Sequence, residues 1–194
     1  KKNPIGNKND FITSPEVSQM FGEILGLFIL NYWEKKIKTK FNLIELGPGK
    51  GTLISDLLRI ANININFMNS INLTLVEKNE ELIKLQKNCL AKLNFHKINW
   101  SQEFEIKKNN LPSIIYSNEF FDCFPIRQFY KEDQWLEKFV RYNHKEKNFN
   151  FIAKKVSEDQ VIKDLQKFNG VKVAEISKSR KDYFEKICKF IKKK

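Results

Sequence analysis

The fold is decided by the stretch Phe41-Asn42-Leu43-Ile44-Glu45-Leu46-Gly47-Pro48-Gly49-Lys50-Gly51-Thr52. An apolar run ends here in an acidic residue, and three of the seven glycines in the chain follow at alternate positions. The run predicts a short buried strand over Phe41–Leu46, and the residues from Thr52 to Ala61 predict a helix. Glycines adopt positive φ angles and leave room for a ligand close to the backbone, and a helix start carries a partial positive charge. The stretch therefore predicts a ligand-binding turn between a strand and a helix.

Three kinds of ligand are alternatives for this turn. A dinucleotide-binding turn has the spacing GxGxxG, which fails because Thr52 stands where the third glycine belongs. A phosphate-binding P-loop has the spacing GxxxxGK[ST], which does not occur in the chain. An acidic residue followed by alternating glycines fits S-adenosyl-L-methionine (SAM), whose methionine tail and ribose need an open backbone and carboxylate partners. We therefore predict that SAM is bound by Glu45, Gly47, Gly49, Gly51 and Thr52, with Glu45 near its amino group. A glycine turn without a ligand is the remaining alternative.

Strand and helix signals alternate along the chain after the turn. Further strands are predicted at Ile71–Glu77, Phe95–Ile98 and Ser113–Ser117, and a helix is predicted at Glu80–Leu93. Alternation with short connections is typical of a parallel sheet with helices on its faces. The sequence therefore predicts a Rossmann-like α/β fold of the class I methyltransferase type.

Two residues near the ends of these strands are candidates for further contacts with SAM. Glu77 ends the second strand, where the doubly wound fold positions the carboxylate that accepts hydrogen bonds from ribose hydroxyls. Trp100 follows the third strand, where an aromatic ring can stack on adenine. For this ring, packing in the core or at the surface is the alternative.

A helix is predicted before the first strand. Thr13 and Ser14 are candidate N-caps, and Glu16 completes a capping box with Thr13. Apolar residues recur at helical spacing as far as about residue 37. Residues 1–12 are polar and predict a loop.

The pattern changes after residue 125. Three segments are separated by turns rich in lysine, asparagine and aspartate, and they predict a small antiparallel β insertion at Gln128–Tyr130, Trp135–Tyr142 and Phe149–Val156. A capping box that begins at Ser157 predicts a helix, and a short strand and a final helix follow. We predict one partial methyltransferase domain over residues 1–194: a loop and helix over 1–40, a cofactor-binding core over 41–125, and the insertion with its following helices over 126–194.

The amino-acid composition indicates which binding partners and which cellular compartment to expect. The net charge is +12, but only four of the 35 basic residues are arginines and the lysines are scattered, which favours a solvated lysine-rich surface over a nucleic-acid interface. The sequence contains no apolar run of about 18 residues and therefore predicts no membrane span. Three widely spaced cysteines and two histidines predict reduced thiols and no metal site. Reduced thiols indicate the cytoplasm or a mitochondrial matrix.

Several segments together resemble the MidA family of SAM-dependent methyltransferases, bacterial proteins whose mitochondrial relatives take part in the assembly of respiratory complex I. The segments are Pro4–Glu23, Glu45–Thr52, Tyr116–Asp122, Phe124–Phe129 and Glu175–Ser177. The resemblance covers essentially the whole chain. It implies methylation of arginine in a protein substrate, with a complex I subunit as the substrate of the mitochondrial relatives. It also implies the cytoplasm for a bacterial protein and the mitochondrial matrix for a eukaryotic one.

Two structural expectations come from the same resemblance. The start of the first helix is expected to fold over the cofactor, with Ser14 and Gln19 as contacts. The family continues past Lys194 with further strands, and we therefore expect the sheet to be incomplete in this chain.

Polar residues after the fourth strand are the candidates for catalysis. Asn118, Glu119 and Asp122 follow it at the carboxyl edge, where ligands bind in open α/β sheets. An arginine substrate needs carboxylates that hold its guanidinium group, and residues three apart share one face of a helical turn. We predict Glu119 as the main carboxylate for the substrate, Asp122 as its partner, and Asn118 as a contact to cofactor or target. Capping of the following turn is the alternative.

Two other functions stay open at this point. The positive charge allows a SAM-dependent methyltransferase that acts on RNA. A client-binding assembly factor without catalytic turnover would have the same fold. The sequence does not decide the oligomeric state.

Overall fold

The computed structural model describes residues 13–93, 95, 97–105, 109–168 and 170–192. The loop predicted over residues 1–12 lies outside these ranges. The chain divides into two compact units, with the boundary between Phe120 and Phe121. The predicted β insertion, from residue 126, lies in the second unit.

The first unit is a four-stranded parallel sheet with helices. Its elements are α1 (Ser14–Val17), α2 (Gln19–Tyr32), a π-helical turn (Trp33–Ile37), β1 (Phe41–Leu46), α3 (Thr52–Ala61), α4 (Ile65–Ser70), β2 (Ile71–Val76), α5 (Glu80–Leu90), β3 (Ile98–Ser101) and β4 (Ser113–Ser117). The strands have the order β3-β2-β1-β4, and every pair is parallel. The predicted Rossmann-like α/β fold is confirmed.

The strand β1 forms the centre of this sheet. All six of its residues are buried. Leu43 lies opposite Leu73 of β2 and Ile114 of β4, and apolar side chains therefore continue from strand to strand. Burial along a whole strand is typical of parallel sheets that helices cover. The turn that follows β1 thus starts from the most buried strand of the unit.

The third strand lies later in the chain than predicted. The prediction was Phe95–Ile98, whereas β3 pairs Ile98 with Leu73 and Trp100 with Leu75. Phe95 precedes the strand and is buried in the hydrophobic core. Its apolar character therefore reflects core packing from a loop, and Trp100 lies within the strand rather than after it.

The single helix predicted from Thr13 to about residue 37 is wrong in two places. Ser18 has an extended backbone, with φ −147° and ψ 121°, and separates α1 from α2. The turn Trp33–Ile37 is π-helical rather than α-helical. The predicted capping box is also absent, because the Thr13 side chain makes no capping hydrogen bond and Glu16 is engaged elsewhere, in an ion pair described below.

The helix α2 packs against α3 through small residues. Gly22 and Gly26 are buried, whereas Met20 and Phe28 are 63% and 65% exposed. A Cβ atom at Gly22 would lie 2.6 Å from the Cβ of Asp56 in α3. The close approach of the two helices therefore depends on the missing side chain.

We expect Gly22→Ala to destabilise the protein, although alanine is the better helix former. The added methyl group overlaps Asp56, and we expect the free energy of unfolding to fall by about 1–3 kcal/mol despite a gain of up to about 1 kcal/mol in helix propensity. Urea denaturation followed by circular dichroism measures the change. Asn31→Ala, at an exposed position of the same helix, is the matched control. Equal stabilisation of both variants would contradict the close packing of α2 on α3.

The second unit is a four-stranded antiparallel sheet with two helices. After a 3₁₀ turn (Phe121–Cys123), its elements are β5 (Arg127–Lys131), β6 (Trp135–Asn143), β7 (Asn148–Lys155), α6 (Asp159–Leu165), β8 (Val173–Ile176) and α7 (Lys178–Lys192). The strand order is β7-β6-β5-β8, which confirms the antiparallel insertion. Phe129, Val161, Leu165 and Ala174 form its small buried core.

An ion-pair cluster joins β5, β6 and the start of α6. Arg127 donates hydrogen bonds to Glu137 at 2.6 Å and to Glu158 at 2.7 Å, and these carboxylates raise its pKa. Glu158 is the N-cap residue of α6 but makes no capping hydrogen bond with its side chain. The capping box predicted to begin at Ser157 is therefore replaced by the contact of Glu158 with Arg127.

Within the described residues, no helix is long and apolar enough to cross a membrane. The same residues contain no group of three or more histidine, cysteine, aspartate or glutamate side chains that could hold a metal ion.

Candidate cofactor site

The glycine turn after β1 has the backbone conformation that its composition predicts. Gly47, Gly49 and Gly51 have φ angles of 64°, 56° and 85°, a region that favours glycine. The Gly47 N–H donates to the carbonyl of Val76 at 3.0 Å, which joins the turn to the end of β2. A Cβ atom at Gly47 would lie 2.6 Å from Cδ2 of Phe120. Phe120 thus encloses the turn on one side, and a side chain at position 47 would overlap its ring.

The turn leads directly into the N-terminus of α3. Gly51 is the N-cap residue of this ten-residue helix, and it provides no side-chain capping hydrogen bond. Backbone N–H groups at a helix start attract negative charge. The turn and the helix start together suit a polar ligand with a carboxylate or hydroxyl groups.

Gln86 of α5 stabilises the glycine turn through a hydrogen bond. It is fully buried, and its amide donates to the carbonyl of Gly49 at 2.8 Å. Its Oε1 accepts a hydrogen bond from the indole N–H of Trp100 at 3.0 Å. The contact gives Trp100 a role in positioning Gln86; the stacking of its ring on adenine stays a prediction.

Sequence reasoning missed Gln86, although a signal was present. Leu82, Gln86 and Leu90 recur every four residues and are the buried residues of α5. A glutamine between two buried leucines on one helix face needs a hydrogen-bond partner, because a buried polar group without one is costly. That requirement points to a buried backbone carbonyl or side chain nearby.

Glu45, at the end of β1, is buried and only 2% exposed. The register pairs it with Tyr116 of β4, and the Tyr116 hydroxyl donates to its Oε2 at 3.1 Å. Burial raises the pKa of Glu45 to about 8, although the hydrogen bond from Tyr116 acts in the opposite direction. Glu45 therefore holds a proton at neutral pH, and a cationic group beside it would favour the ionised form.

The pKa of Glu45 makes the stability of the protein depend on pH. Between pH 4.5, the ordinary pKa of the group, and about pH 8, the folded protein keeps a proton that the unfolded chain releases. The contribution of Glu45 to stability is therefore fully present below about pH 4.5 and is lost as the pH rises through about 8. We measure the effect of Glu45→Gln as its free energy of unfolding minus that of wild type. We expect this difference to be on the order of 2–4 kcal/mol larger at pH 8.5 than at pH 4.5. Urea denaturation at the two pH values measures this difference. Glu80→Gln, at an exposed carboxylate, is the control, and parallel pH curves for wild type and Glu45→Gln would contradict the prediction.

Glu77 directly follows β2 at the same edge of the sheet. Its backbone N–H donates to the carbonyl of Ser101 at 2.9 Å, and its Oε1 accepts from the N–H of Asn79 at 2.9 Å. Burial raises the pKa of Glu77, and the backbone hydrogen bonds lower it. The hydrogen bond from Asn79 holds the Glu77 carboxylate in a short turn. Val76, the residue before Glu77, has the carbonyl that accepts the hydrogen bond from the Gly47 N–H.

Asn118 and Glu119 follow β4, which lies on the other side of β1. Ser117 pairs with Leu46, so the ends of the two strands meet at the edge where the glycine turn begins. Glu119 is exposed and has a φ angle of 50°. This conformation is not helical, and the helical spacing by which Glu119 and Asp122 were predicted to share a face is therefore wrong.

Asp122 belongs to the other of the two compact units. It belongs to the 3₁₀ turn that starts the second unit. Glu45, Gly47, Glu77, Asn118 and Glu119 all belong to the first unit. Because β1, β2 and β4 are parallel and Leu46 pairs with Val76 and Ser117, these five predicted residues lie at one edge of one sheet.

A cavity of about 480 Å³ lies beside the start of α3 in the first unit. It contains Gln19 and Thr52, two of the predicted cofactor contacts, and Ser14 is not among its described lining residues. The lining residues are Pro15, Glu16, Gln19, Lys50, Thr52 and Asp56. Glu16 and Lys50 pair at 3.1 Å within it.

Asp56 is the residue of this cavity that sequence reasoning missed. It is 4% exposed, and its Oδ1 pairs with Arg59 at 3.0 Å. Its Oδ2 is buried and has no hydrogen-bond partner within the described part of the chain. Burial raises the pKa of Asp56. This oxygen lies on the side of Asp56 that packs against Gly22 of α2.

These features together define a class of protein. A Rossmann-like parallel sheet, with an acidic residue and a positive-φ glycine turn at the end of its first strand, is the fold of class I methyltransferases. The chain belongs to a family of S-adenosyl-L-methionine-dependent methyltransferases, whose profile matches residues 24–193. SAM, the cofactor predicted from the sequence, is the cofactor of this family.

Curated relatives carry a more specific name. The human protein arginine methyltransferase NDUFAF7, which is mitochondrial, is 35% identical over 160 residues, which are 70% of this chain and 36% of that protein. Its homologue from Drosophila melanogaster is 50% identical over 56 residues, which are 28% of this chain and 13% of that protein. The chain thus spans about a third of the length of its human relative. The resemblance to the MidA family is confirmed at the level of the family.

Solved structures support the fold. The structure of a protein from Burkholderia thailandensis bound to S-adenosyl-homocysteine has a TM-score of 0.75 at 19% identity, over 96% of this chain and 49% of that one. A second structure from the same organism has a TM-score of 0.71 at 20% identity, over 92% of this chain and 47% of that one.

Proposed function

We propose that the protein transfers a methyl group from SAM to an arginine of a protein substrate. The observation that carries the proposal is the meeting of the positive-φ glycine turn with Glu45, Glu77, Asn118 and Glu119 at one edge of the parallel sheet. The names of the curated relatives support arginine as the target. We propose a protein of the respiratory complex I as the substrate, on the resemblance to the MidA family alone.

The first group of residues is proposed to bind SAM, which supplies an electrophilic methyl group when bound. The positive φ angles of Gly47, Gly49 and Gly51 shape the backbone turn that is proposed to lie against the ligand. Glu45 is proposed to balance the amino group and Glu77 to accept hydrogen bonds from ribose hydroxyls. Further proposed contacts are Ser14, Gln19, Thr52 and Trp100.

The second group is proposed to bind the substrate. Glu119 holds the guanidinium group and orients one of its nitrogens, because a carboxylate and a guanidinium form paired charge-assisted hydrogen bonds. Asn118 contacts the cofactor or the target. Positioning of this kind accounts for much of the rate in reactions that join two bound molecules.

The target is tested by methyl transfer from radiolabelled SAM to arginine-containing peptides. Lysine-containing peptides of the same length and RNA are the comparison substrates. We expect label on arginine peptides only. Label on RNA, with a steep dependence on salt, would instead support the RNA methyltransferase that the net charge of +12 allows.

The compartment follows from the same relatives. The curated relatives are mitochondrial proteins by name. We propose the mitochondrial matrix if the chain comes from a eukaryote and the cytoplasm if it comes from a bacterium.

A further inference from the structure

The hairpin of β6 and β7 presents an exposed aromatic surface. Register pairs Val140 with Phe151 and Tyr142 with Phe149, so these four side chains share one face of the sheet, together with Lys138. We call these five residues the hairpin face. Phe149 is 73% exposed and Phe151 is 71% exposed. Exposed rings grouped in this way are unusual on a surface that faces only water.

Positive charge surrounds the hairpin face. The segment from Trp135 to Lys155 contains six basic and two acidic residues, which give it a net charge of +4. One of the two acidic residues, Glu137, is already paired with Arg127 at 2.6 Å. Lys138 lies over the ring of Phe151, with Nζ 4.3 Å from the ring centroid. The surface therefore combines apolar area with charge that an anionic partner complements.

The hairpin also has an open edge. Within the described residues, β7 pairs with β6 and forms one end of the sheet. Its eight residues, Asn148–Lys155, carry backbone N–H and C=O groups on the outer side that a further strand can use. Lys154 and Lys155 at the end of this strand oppose the addition of a second, equally basic copy of the chain.

We propose that the hairpin face and the β7 edge bind an extended acidic segment of a partner protein. The segment adds a strand beside β7, places apolar side chains against Phe149 and Phe151 on the hairpin face, and directs the alternate carboxylates to Lys154 on the opposite face of the sheet. This site shares no residue with the proposed cofactor site, and binding there does not depend on methyl transfer.

A protein segment suits this surface better than a nucleic acid. Bases need open ring faces on which to stack, but Lys138 covers the ring of Phe151, and Tyr142 packs on Phe149 with ring centroids 5.1 Å apart. A nucleic acid also has no regularly repeating backbone N–H and C=O groups with which to pair the β7 edge.

The proposal is tested by fluorescence anisotropy with a labelled twelve-residue peptide of alternating glutamate and valine. The Phe149→Ser/Phe151→Ser variant of the 194-residue chain is expected to bind it at least tenfold more weakly than wild type. Both rings are largely exposed, so circular dichroism is expected to show an unchanged fold. The Lys154→Glu/Lys155→Glu variant tests the charges and is expected to show the same loss. Val173→Ser, at a 56% exposed position of the other edge strand, is the matched control and is expected to bind like wild type.

Three results would overturn the proposal. One is the absence of peptide binding to wild type, and another is equal binding to all variants, which indicates that the peptide binds elsewhere on the chain. The third is tighter binding of a labelled oligouridine than of the peptide, with the two rings required. SAM binding, measured on the same samples, reports on the cofactor site separately, so that failure at the hairpin is distinguished from failure of the proposed methyltransferase.

Discussion

Gly47→Val is expected to reduce the affinity for SAM at least 100-fold, which is about 2.7 kcal/mol or more of binding free energy. Two effects combine at this position. The φ angle of Gly47 is 64°, which a β-branched residue adopts only with strain. The first side-chain atom also falls 2.6 Å from Cδ2 of Phe120, so the turn must move away from the position that a ligand needs. Isothermal titration calorimetry with SAM measures the change.

Gly170 provides a matched control for Gly47→Val. Its φ angle is 78°, but a Cβ atom there meets no atom within 4 Å. Gly170→Val therefore introduces the same backbone strain in the second unit without a clash and outside the cofactor site. We expect it to bind SAM like wild type. If both variants bound SAM normally, the glycine turn would not be part of the cofactor site.

Glu119→Gln is expected to lower the rate of methyl transfer to an arginine peptide by about 10²–10⁴, which corresponds to about 3–5.5 kcal/mol in the activation free energy. The substitution keeps the size of the side chain but removes the charge that holds and orients the guanidinium group. SAM affinity is expected to change less than threefold, because Glu119 is assigned to the substrate. Single-turnover assays with radiolabelled SAM separate the rate from the binding of either ligand.

The control for Glu119→Gln is Glu132→Gln. Glu132 is an exposed carboxylate in the turn between β5 and β6, and its loss changes the net charge by the same amount. Normal methylation by Glu119→Gln would reject the assigned role. If Glu119→Gln abolished methylation but the cell still assembled the partner complex, a client-binding assembly factor would explain the biology better than an enzyme.

The glycine turn and the sheet could be predicted because local sequence determines them. The residues Phe41–Leu46 are apolar enough to mark a buried strand, and all six are buried. The three glycines that follow have positive φ angles, and each of these angles is a local property of the backbone at its own position. The parallel direction of the strands then follows from their alternation with helices.

The packing of α2 could not be predicted in the same way. Its large apolar residues, such as Met20 and Phe28, are mostly exposed, and its contact with α3 is made at Gly22 and Gly26. A glycine on a helix marks a close contact only when the partner helix is known. The same limit applies to Asp56, which lies opposite Gly22 and whose burial depends on that contact.

Residues that act through a second residue were also missed. Gln86 is buried because it links the carbonyl of Gly49 to the indole of Trp100, and these three residues come from separate segments. Glu119 follows a strand and was predicted on a helical turn, but its φ angle of 50° depends on how the chain leaves β4. The type of site was therefore predictable, whereas its supporting contacts required the structure.

The central claim is that the edge of the parallel sheet around Gly47 binds SAM, and calorimetric titration of the 194-residue chain with SAM tests it most directly. We expect one binding site per chain with a dissociation constant below 1 mM, which corresponds to about −4 kcal/mol or stronger, and loss of that binding in Gly47→Val but not in Gly170→Val. Absence of binding to wild type up to 1 mM SAM, or unchanged binding in Gly47→Val, would contradict the assignment of the site.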